Sequence, residues 1–309
     1  MNNFTYSITI THYDSPSLLE RMLKSIPERD DIQVIVVDDA SCENARNAIA
    51  KLQHKNLQLI YTPENHGAGY ERNVGLEHAK GKWLIACDCD DIFAKGAFDV
   101  LDKYKDCNYD YICYCVTCLD ENLVPTGKHL RSDNAVRNYI KKKSKANIKY
   151  FKFWNTEPWN KMVSLDFIKK HNIKWEDCRI NVDVYFSFKL ALAAKNYMAI
   201  PNELYHFVGD NNSITRKKRS IEREFGFYIA QQKRNGFFKL LGYGYPFSKS
   251  DWLYLPYLLK KRGIKETIAF YNYRKKHWQK VIDARMQYTH LLDGIDKNTL
   301  LENSYDRHS

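Results

Sequence analysis

The chain has 309 residues, of which 44% are hydrophobic and 28% charged, and this balance excludes a disordered or low-complexity protein. Its length allows one large α/β domain with an appendage or two modest domains. No apolar run approaches the roughly 18 residues that cross a bilayer, and no signal-peptide pattern precedes Tyr6, so we expect a cytoplasmic protein.

Short apolar runs alternate with segments of helical spacing in the N-terminal part of the chain. The predicted strands are Ser7–Ile10, Gln33–Val37, Leu57–Tyr61 and Trp83–Cys87. The predicted helices are Leu18–Ile26, Ala45–Gln53 and Tyr70–Ala79. This alternation indicates a βαβ series, so the sequence predicts an α/β fold with a mostly parallel sheet flanked by helices. Ligands bind such sheets at the carboxyl ends of the strands.

The net charge of +11 is unevenly distributed along the chain. Between Arg216 and Arg285 there are eighteen Lys and Arg against five Asp and Glu, so the rest of the chain is slightly acidic. The same segment is rich in aromatic residues. We therefore expect an α/β domain at residues 1–215 and a helical, basic, aromatic-rich C-terminal appendage at residues 216–309.

Two groups of carboxylates follow predicted strands. Asp88, Asp90 and Asp91 come after the fourth strand. Neighbouring carboxylates at a strand end repel one another unless a cation neutralises them, and hard divalent ions prefer oxygen ligands. Asp38 and Asp39 close the second strand, and such acceptors suit the imide N–H of uracil or the hydroxyls of ribose. Either group could instead be a polar turn, in which Asp91 caps the next helix or Asp39 or Ser41 does so.

Four motifs occur in a fixed order along the first third of the chain. They are Ile8–Tyr13, Val36–Ser41, Asn65–Gly75 and Asp88–Asp91. Together they resemble the family 2 glycosyltransferases of the GT-A fold. The resemblance continues through Pro158–Lys161, Ile173–Glu176 and Asn181–Phe186, and it fades after Tyr205-His206 and Ser213–Thr215.

The resemblance implies a Rossmann-like GT-A sheet, an inverting transferase and a nucleotide-sugar donor, in particular a UDP-sugar. It assigns donor-nucleotide binding to Thr11, Tyr13, Asp39, Arg72 and Asp88. It also implies that Asp88 and Asp90 hold a divalent cofactor, Mn²⁺ or Mg²⁺, on the donor diphosphate. In part of the related families, a histidine near the position of His206 completes the metal shell.

The catalytic base is expected at Asp183. Family members carry a Glu-Asp pair where this chain has Val182-Asp183, so Asp183 is the matching carboxylate. A single base can deprotonate the acceptor hydroxyl while that oxygen attacks the anomeric carbon, and one displacement inverts the configuration. Asp183 could instead cap the following helix, and Glu176 and Asp177 are the reserve candidates for the base.

Other residues of the same motifs could contact the acceptor or the diphosphate. Trp159, Lys161 and Glu176 are the candidates. A core tryptophan beside a solvated lysine fits Trp159 and Lys161 equally well. The expected acceptor is a glycan or a lipid-linked molecule, and surface polysaccharide synthesis is the expected process.

Two other functions remain open on the sequence. The absence of a carboxylate at Val182 is compatible with a degenerate enzyme that binds a nucleotide sugar or glycan without turning it over. A metal-dependent nucleotidyltransferase would place similar carboxylates around a metal and a nucleotide. No nucleic-acid motif accompanies the basic appendage, so a nucleic-acid partner is not expected. The appendage could dock on the anionic inner face of the cell membrane, or pack against the α/β domain or a second subunit.

Overall fold

The computed structural model describes residues 4–209, 220–242 and 251–293. The described residues fall into two compact units, an α/β unit in the N-terminal part and a helical unit in the C-terminal part. The predicted boundary between residues 215 and 216 lies outside the described residues.

The first half of the α/β unit is a regular βαβ series. Its elements are β1 Tyr6–His12, α1 Pro16–Ser25, β2 Ile32–Asp38, α2 Glu43–Ile49, β3 Leu57–Tyr61, α3 Ala68–His78 and β4 Trp83–Asp88. The predicted strands and helices are therefore confirmed, with ends displaced by a few residues. All three pairings among these strands are parallel, and β1 lies between β2 and β4.

The second half of the α/β unit adds antiparallel strands. Its elements are β5 Ile92–Phe93, α4 Ala97–Leu101, β6 Tyr111–Leu119, α5 Arg131–Lys141, α6 Lys145–Trp154, β7 Lys161–Ser164, α7 Leu165–Lys170, α8 Asp183–Ala193 and β8 Tyr197–Val208. The sheet has the order β3-β2-β1-β4-β7-β6-β8-β5, in which β7 is antiparallel to β4 and β6, and β5 is antiparallel to β8. The α/β fold is as predicted, but the sheet is mixed, because β7 and β5 run antiparallel to the strands that they pair with.

Both faces of the central strands are buried, as expected for a sheet covered by helices on both sides. Along β2, Val34 and Val36 belong to the same core as α1, whereas Ile35 and Val37 belong to the core beneath α3. The apolar side chains therefore fix the sheet from both sides. The polar residues that follow the strands therefore lie at the carboxyl edge of the sheet.

The helical unit consists of α9 Ile221–Leu240, α10 Asp251–Arg262, α11 Ile264–Lys276 and α12 Trp278–Gln287. Its core contains Phe225, Tyr228, Tyr254, Leu258, Phe270 and Val281. Gly236 allows α9 and α12 to approach, since a Cβ there would lie 1.8 Å from the carbonyl oxygen of Arg285. The prediction of a helical appendage is confirmed for these residues. None of the described helices has the length and hydropathy of a membrane span.

Candidate active site

The carboxyl ends of β1, β2 and β4 lie side by side and carry most of the predicted site residues. In the parallel register, Thr11 of β1 is opposite Asp88 of β4. The Thr11 hydroxyl donates to Asp88 Oδ1 at 3.5 Å. Tyr13 follows β1 directly, and its side chain is 50% exposed at the surface of this end of the sheet. The structure thus brings together three of the predicted donor-binding residues.

Asp88, Asp90 and Asp91 form a compact group in which one ligand oxygen from each lies within 4.8 Å of the others. Asp91 is fully buried and does not cap a helix, because the short strand β5 follows it. Its Oδ1 accepts from the backbone N–H of Val208 at 2.8 Å, and its Oδ2 has no hydrogen-bond partner among the described residues. Burial, together with the charges of Asp90 and Asp88, raises the pKa of Asp91 well above its usual value.

This group has the chemistry of a hard-cation site. Three clustered carboxylates, one of them with a buried and unsatisfied oxygen, are costly unless a positive charge compensates them. Carboxylate oxygens are the ligands that Mg²⁺ and Mn²⁺ prefer. The residues present therefore fit a divalent ion held by Asp88, Asp90 and Asp91. The sequence predicts Asp88, Asp90 and His206 as metal ligands and Asp91 only as a possible helix cap.

His206 lies within β8, which continues through Pro201 to Val208. It pairs with Ile92 of β5, and the cluster of metal-ligating side chains among the described residues does not include it. Burial lowers the pKa of His206, which favours the neutral imidazole that can bind a metal. Its Nδ1 is buried and has no partner among the described residues. A metal-binding role for His206 stays a prediction.

Arg72 of α3 connects the metal-site carboxylates to the predicted base. Its guanidinium donates to Asp88 Oδ1 at 2.6 Å and to Asp183 Oδ1 at 2.9 Å, and its side chain is only 4% exposed. Helix α3 can approach the segment before α8 because residue 69 is glycine. A Cβ at Gly69 would lie 2.2 Å from the carbonyl oxygen of Glu176.

Asp183 begins α8 and does not act as its cap, since the N-cap position is Val182 and no side chain caps this helix. The indole Nε1 of Trp175 donates to Asp183 Oδ1 at 3.1 Å, and the Trp175 ring stacks on Phe186 with centroids 3.9 Å apart. Burial raises the pKa of Asp183 to about 6, against the opposing effect of the Arg72 charge. The side chain is still 24% exposed, so a molecule in the cleft can reach it.

The hydrogen bonds to Asp183 from the described residues all fall on Oδ1. Oδ2 can therefore accept a proton from another molecule. The reserve candidates differ in exposure, since Glu176 is partly buried and Asp177 is exposed.

Asp39 anchors the loop between β3 and α3. Its carboxylate accepts from the backbone N–H groups of His66 at 2.8 Å and Gly67 at 2.7 Å, and the residue is 1% exposed. It does not cap α2, whose N-cap is Cys42. Any contact of Asp39 with a nucleotide would use the remaining lone pairs of these two oxygens. A nucleotide-binding role for Asp39 stays a prediction.

Asp38 is part of a buried network that shapes the loop after β1. The Nε2 of His12 accepts from the backbone N–H of Ser15 at 3.2 Å, so Nδ1 carries the proton and donates to Asp38 Oδ1 at 2.8 Å. Ser41 donates to the same oxygen, and the guanidinium of Arg46 donates to Oδ2 at 3.1 Å. This network fixes the segment that carries Tyr13.

Glu71 is a buried carboxyl that was not predicted from the sequence. Its Oε2 accepts from the backbone N–H of His12 at 2.9 Å, and the residue is 4% exposed. Burial, together with the charge of Asp39, raises the pKa of Glu71 to about 8. Glu71 therefore joins α3 to the end of β1. The sequence offers no signal for this contact beyond the position of Glu71 next to Arg72.

Trp159 and Lys161 are both buried. Trp159 is 3% exposed and stacks on Tyr205 with centroids 5.4 Å apart, which places it in the core. The Lys161 ammonium donates to the backbone carbonyls of Asn155, at 3.3 Å, and of Glu157. Burial lowers the pKa of Lys161. The interpretation of Lys161 as a solvated lysine is wrong, because its side chain crosses the interior to reach these carbonyls.

The chain is similar to several glycosyltransferases in sequence. It is 28% identical over 224 residues to an uncharacterized glycosyltransferase of Mycoplasma genitalium, a match that covers 67% of this chain and 72% of that protein. It is 28% identical over 138 residues to the GalNAc(5)-diNAcBac-PP-undecaprenol beta-1,3-glucosyltransferase of Campylobacter jejuni, covering 42% of this chain and 45% of that enzyme.

Its fold is similar to that of Staphylococcus aureus TarS, residues 1–349, solved in complex with UDP-GlcNAc. The TM-score is 0.59 at 19% identity, and the match covers 74% of this chain and 64% of that one. At this identity the likeness shows the GT-A fold. A sequence model described as glycosyl transferase family 2 matches residues 7–171, which is more than half of the chain. The chain therefore belongs to glycosyl transferase family 2.

Proposed function

We propose that this protein transfers a sugar from a UDP-sugar to a hydroxyl group of a glycan or lipid-linked acceptor, with inversion at the anomeric carbon. Membership of glycosyl transferase family 2 supports the reaction class. The likeness in fold to a structure solved with UDP-GlcNAc supports the donor class, and the Campylobacter relative supports a lipid-linked acceptor. The process would be surface polysaccharide synthesis, at the inner face of the cell membrane.

One observation carries this proposal, namely the double ion pair of Arg72. Asp88 belongs to the carboxylate cluster that fits a divalent ion, and Asp183 is a partly exposed carboxylate with a raised pKa. Because Arg72 contacts both, the leaving group and the attacking hydroxyl can meet next to one guanidinium. An inverting transferase needs this arrangement, with one base on the acceptor side and positive charge on the diphosphate side.

In the proposed reaction, Asp183 Oδ2 takes the proton of the acceptor hydroxyl. The acceptor oxygen forms a bond to the anomeric carbon while the bond from that carbon to the diphosphate oxygen breaks, and the nucleoside diphosphate leaves with the electron pair. Asp88, Asp90 and Asp91 would hold a divalent ion, which would neutralise the charge of the diphosphate. Thr11 and Tyr13 would hold the nucleotide, with Asp39 supporting the pocket through the loop that it anchors.

The proposal is tested with a panel of UDP-, GDP- and CDP-sugars, with and without Mn²⁺ or Mg²⁺. Thermal stabilisation reports binding, and release of nucleoside diphosphate reports turnover. We expect metal-dependent stabilisation and turnover with a UDP-sugar. Binding without any release of UDP, in the presence of glycan and lipid acceptors, would instead indicate a degenerate binding protein. Release of pyrophosphate from a nucleoside triphosphate and a sugar phosphate would indicate a nucleotidyltransferase.

A further inference from the structure

Large apolar side chains are exposed mainly on the helical unit. Among the described residues of the larger α/β unit, four are exposed, namely Tyr13, Tyr61, Leu123 and Val124. Nine are exposed on the smaller helical unit, namely Leu240, Tyr257, Leu259, Ile264, Ile268, Tyr271, Trp278, Ile282 and Met286. A concentration of this kind marks an interaction surface, whereas isolated exposed apolar residues are ordinary.

On α11, three of these side chains form a stripe. Ile264, Ile268 and Tyr271 are 69%, 55% and 45% exposed, and their spacing of four and three residues places them on one face of the helix. The core of the helical unit uses a different side of α11, through Phe270, which is 2% exposed. The packing of the unit therefore does not account for the three exposed side chains.

The stripe continues on α12. Trp278, Ile282 and Met286 are 40%, 41% and 61% exposed and lie four residues apart. The guanidinium of Arg274 joins the two helices, since it lies 5.3 Å from the ring centroid of Tyr271 and 5.5 Å from that of Trp278. Arg274 therefore places the last residue of the α11 stripe next to the first residue of the α12 stripe. We call the two stripes together the outer face, which consists of Ile264, Ile268, Tyr271, Trp278, Ile282 and Met286.

Basic side chains border the outer face. Lys265, Lys275, Lys276 and Lys280 are all exposed on the same two helices. The acidic residues of α11 and α12 are fewer, since they are Glu266, which pairs with Arg262, and Asp283. Two copies of such a face would repel each other, because each presents excess positive charge. A binding partner that carries negative charge and also has an apolar part fits the outer face better than a second copy does.

We propose that the outer face docks on a bilayer containing anionic phospholipid. The lysines meet the phosphate groups of the lipids, while the isoleucine, methionine and aromatic side chains enter the boundary between headgroups and acyl chains. The proposal deepens the proposed function, in that docking would hold the enzyme at the surface where a lipid-linked acceptor lies. Vesicle binding needs no turnover, so it can fail or succeed independently of the glycosyltransferase activity.

The test is co-sedimentation of the full chain with phosphatidylcholine vesicles, with and without phosphatidylglycerol. One variant carries Ile268→Gln and Ile282→Gln, and a second carries Lys265→Gln, Lys275→Gln and Lys276→Gln. The matched control is Val124→Gln, which removes an equally exposed apolar side chain from the α/β unit, at 55% exposure. Glutamine is a good helix former at the positions on α11 and α12, and all the substituted positions are exposed, so thermal melting should be unchanged.

We expect binding to the anionic vesicles, with at least tenfold weaker partitioning for both outer-face variants and no change for Val124→Gln. Raising the salt from about 0.1 M to about 1 M shortens the screening length from about 10 Å to about 3 Å and should also weaken binding. Equal binding to neutral vesicles, absence of binding, or equal loss in the control would overturn the proposal. So would conversion of a dimer to a monomer by the isoleucine variant, because the outer face would then be a subunit interface.

Discussion

The substitution Trp175→Phe should raise the pH at which the enzyme becomes active. The indole N–H donates to Asp183 Oδ1 at 3.1 Å and stabilises the charged carboxylate, whereas phenylalanine retains the stack on Phe186 and removes only the donor. A hydrogen bond to a charged group contributes about 1.5–3 kcal/mol, and water can replace part of it because Asp183 is 24% exposed. A net loss of about 1.4 kcal/mol raises the pKa of Asp183 by about one unit.

The assay is kcat/KM against pH, because this ratio reports the pKa of a group in the free enzyme. For the wild type we expect an acid limb near the pKa of Asp183, which is about 6, because the base must be deprotonated. For Trp175→Phe the limb should move to about pH 7, with little change in kcat/KM on the alkaline side. Trp83→Phe is the matched control, since the Trp83 indole donates to the carbonyl of Lys105 instead of a site carboxylate. An acid limb that stays in place in Trp175→Phe, or moves equally in the control, would refute this reasoning.

Three further results are expected. Asp183→Asn keeps the shape of the side chain and removes its basicity, so kcat should fall by roughly 10²–10⁴. Donor binding, measured by calorimetry, should stay nearly unchanged. If kcat fell by tenfold or less, the role of the base would move to Glu176 or Asp177. Asp90→Ala should abolish metal-dependent turnover without lowering the melting temperature, and full activity in both this variant and the chelator-treated wild type would exclude the metal site. The pKa of Glu71 is raised from 4.5 to about 8 in the folded state. The contribution of Glu71 to the free energy of unfolding is therefore fully present below pH 4.5 and is lost as the pH rises to about 8. Relative to Glu71→Gln, the wild type should therefore lose melting temperature over that range, and parallel curves would contradict the burial of Glu71.

The elements of the first half of the sheet could be predicted from the sequence because their patterns are local. The apolar runs of β1, β2 and β4 and the helical spacing between them are each contained in a few consecutive residues. The same holds for the strand-end carboxylates Asp88 and Asp90. Parallel βαβ units then bring these ends together without any further information.

Other features depend on partners distant in the sequence and could not be predicted. The Asp39 carboxylate accepts from amides 27 and 28 residues away, and Arg72 reaches a carboxylate 111 residues away. The burial of Lys161 depends on backbone carbonyls that only the folded loop before β7 presents. Residue types alone do not specify such long-range contacts.

The most direct test of the central claim is the stereochemistry of the product. The purified protein is incubated with a UDP-sugar, Mn²⁺ and an acceptor alcohol or lipid-linked glycan, and the anomeric configuration is followed by NMR while UDP is quantified. A single displacement assisted by Asp183 predicts one UDP released per sugar transferred, a product of inverted configuration, and loss of both in Asp183→Asn. A product of retained configuration, or undiminished transfer by Asp183→Asn, would contradict the claim.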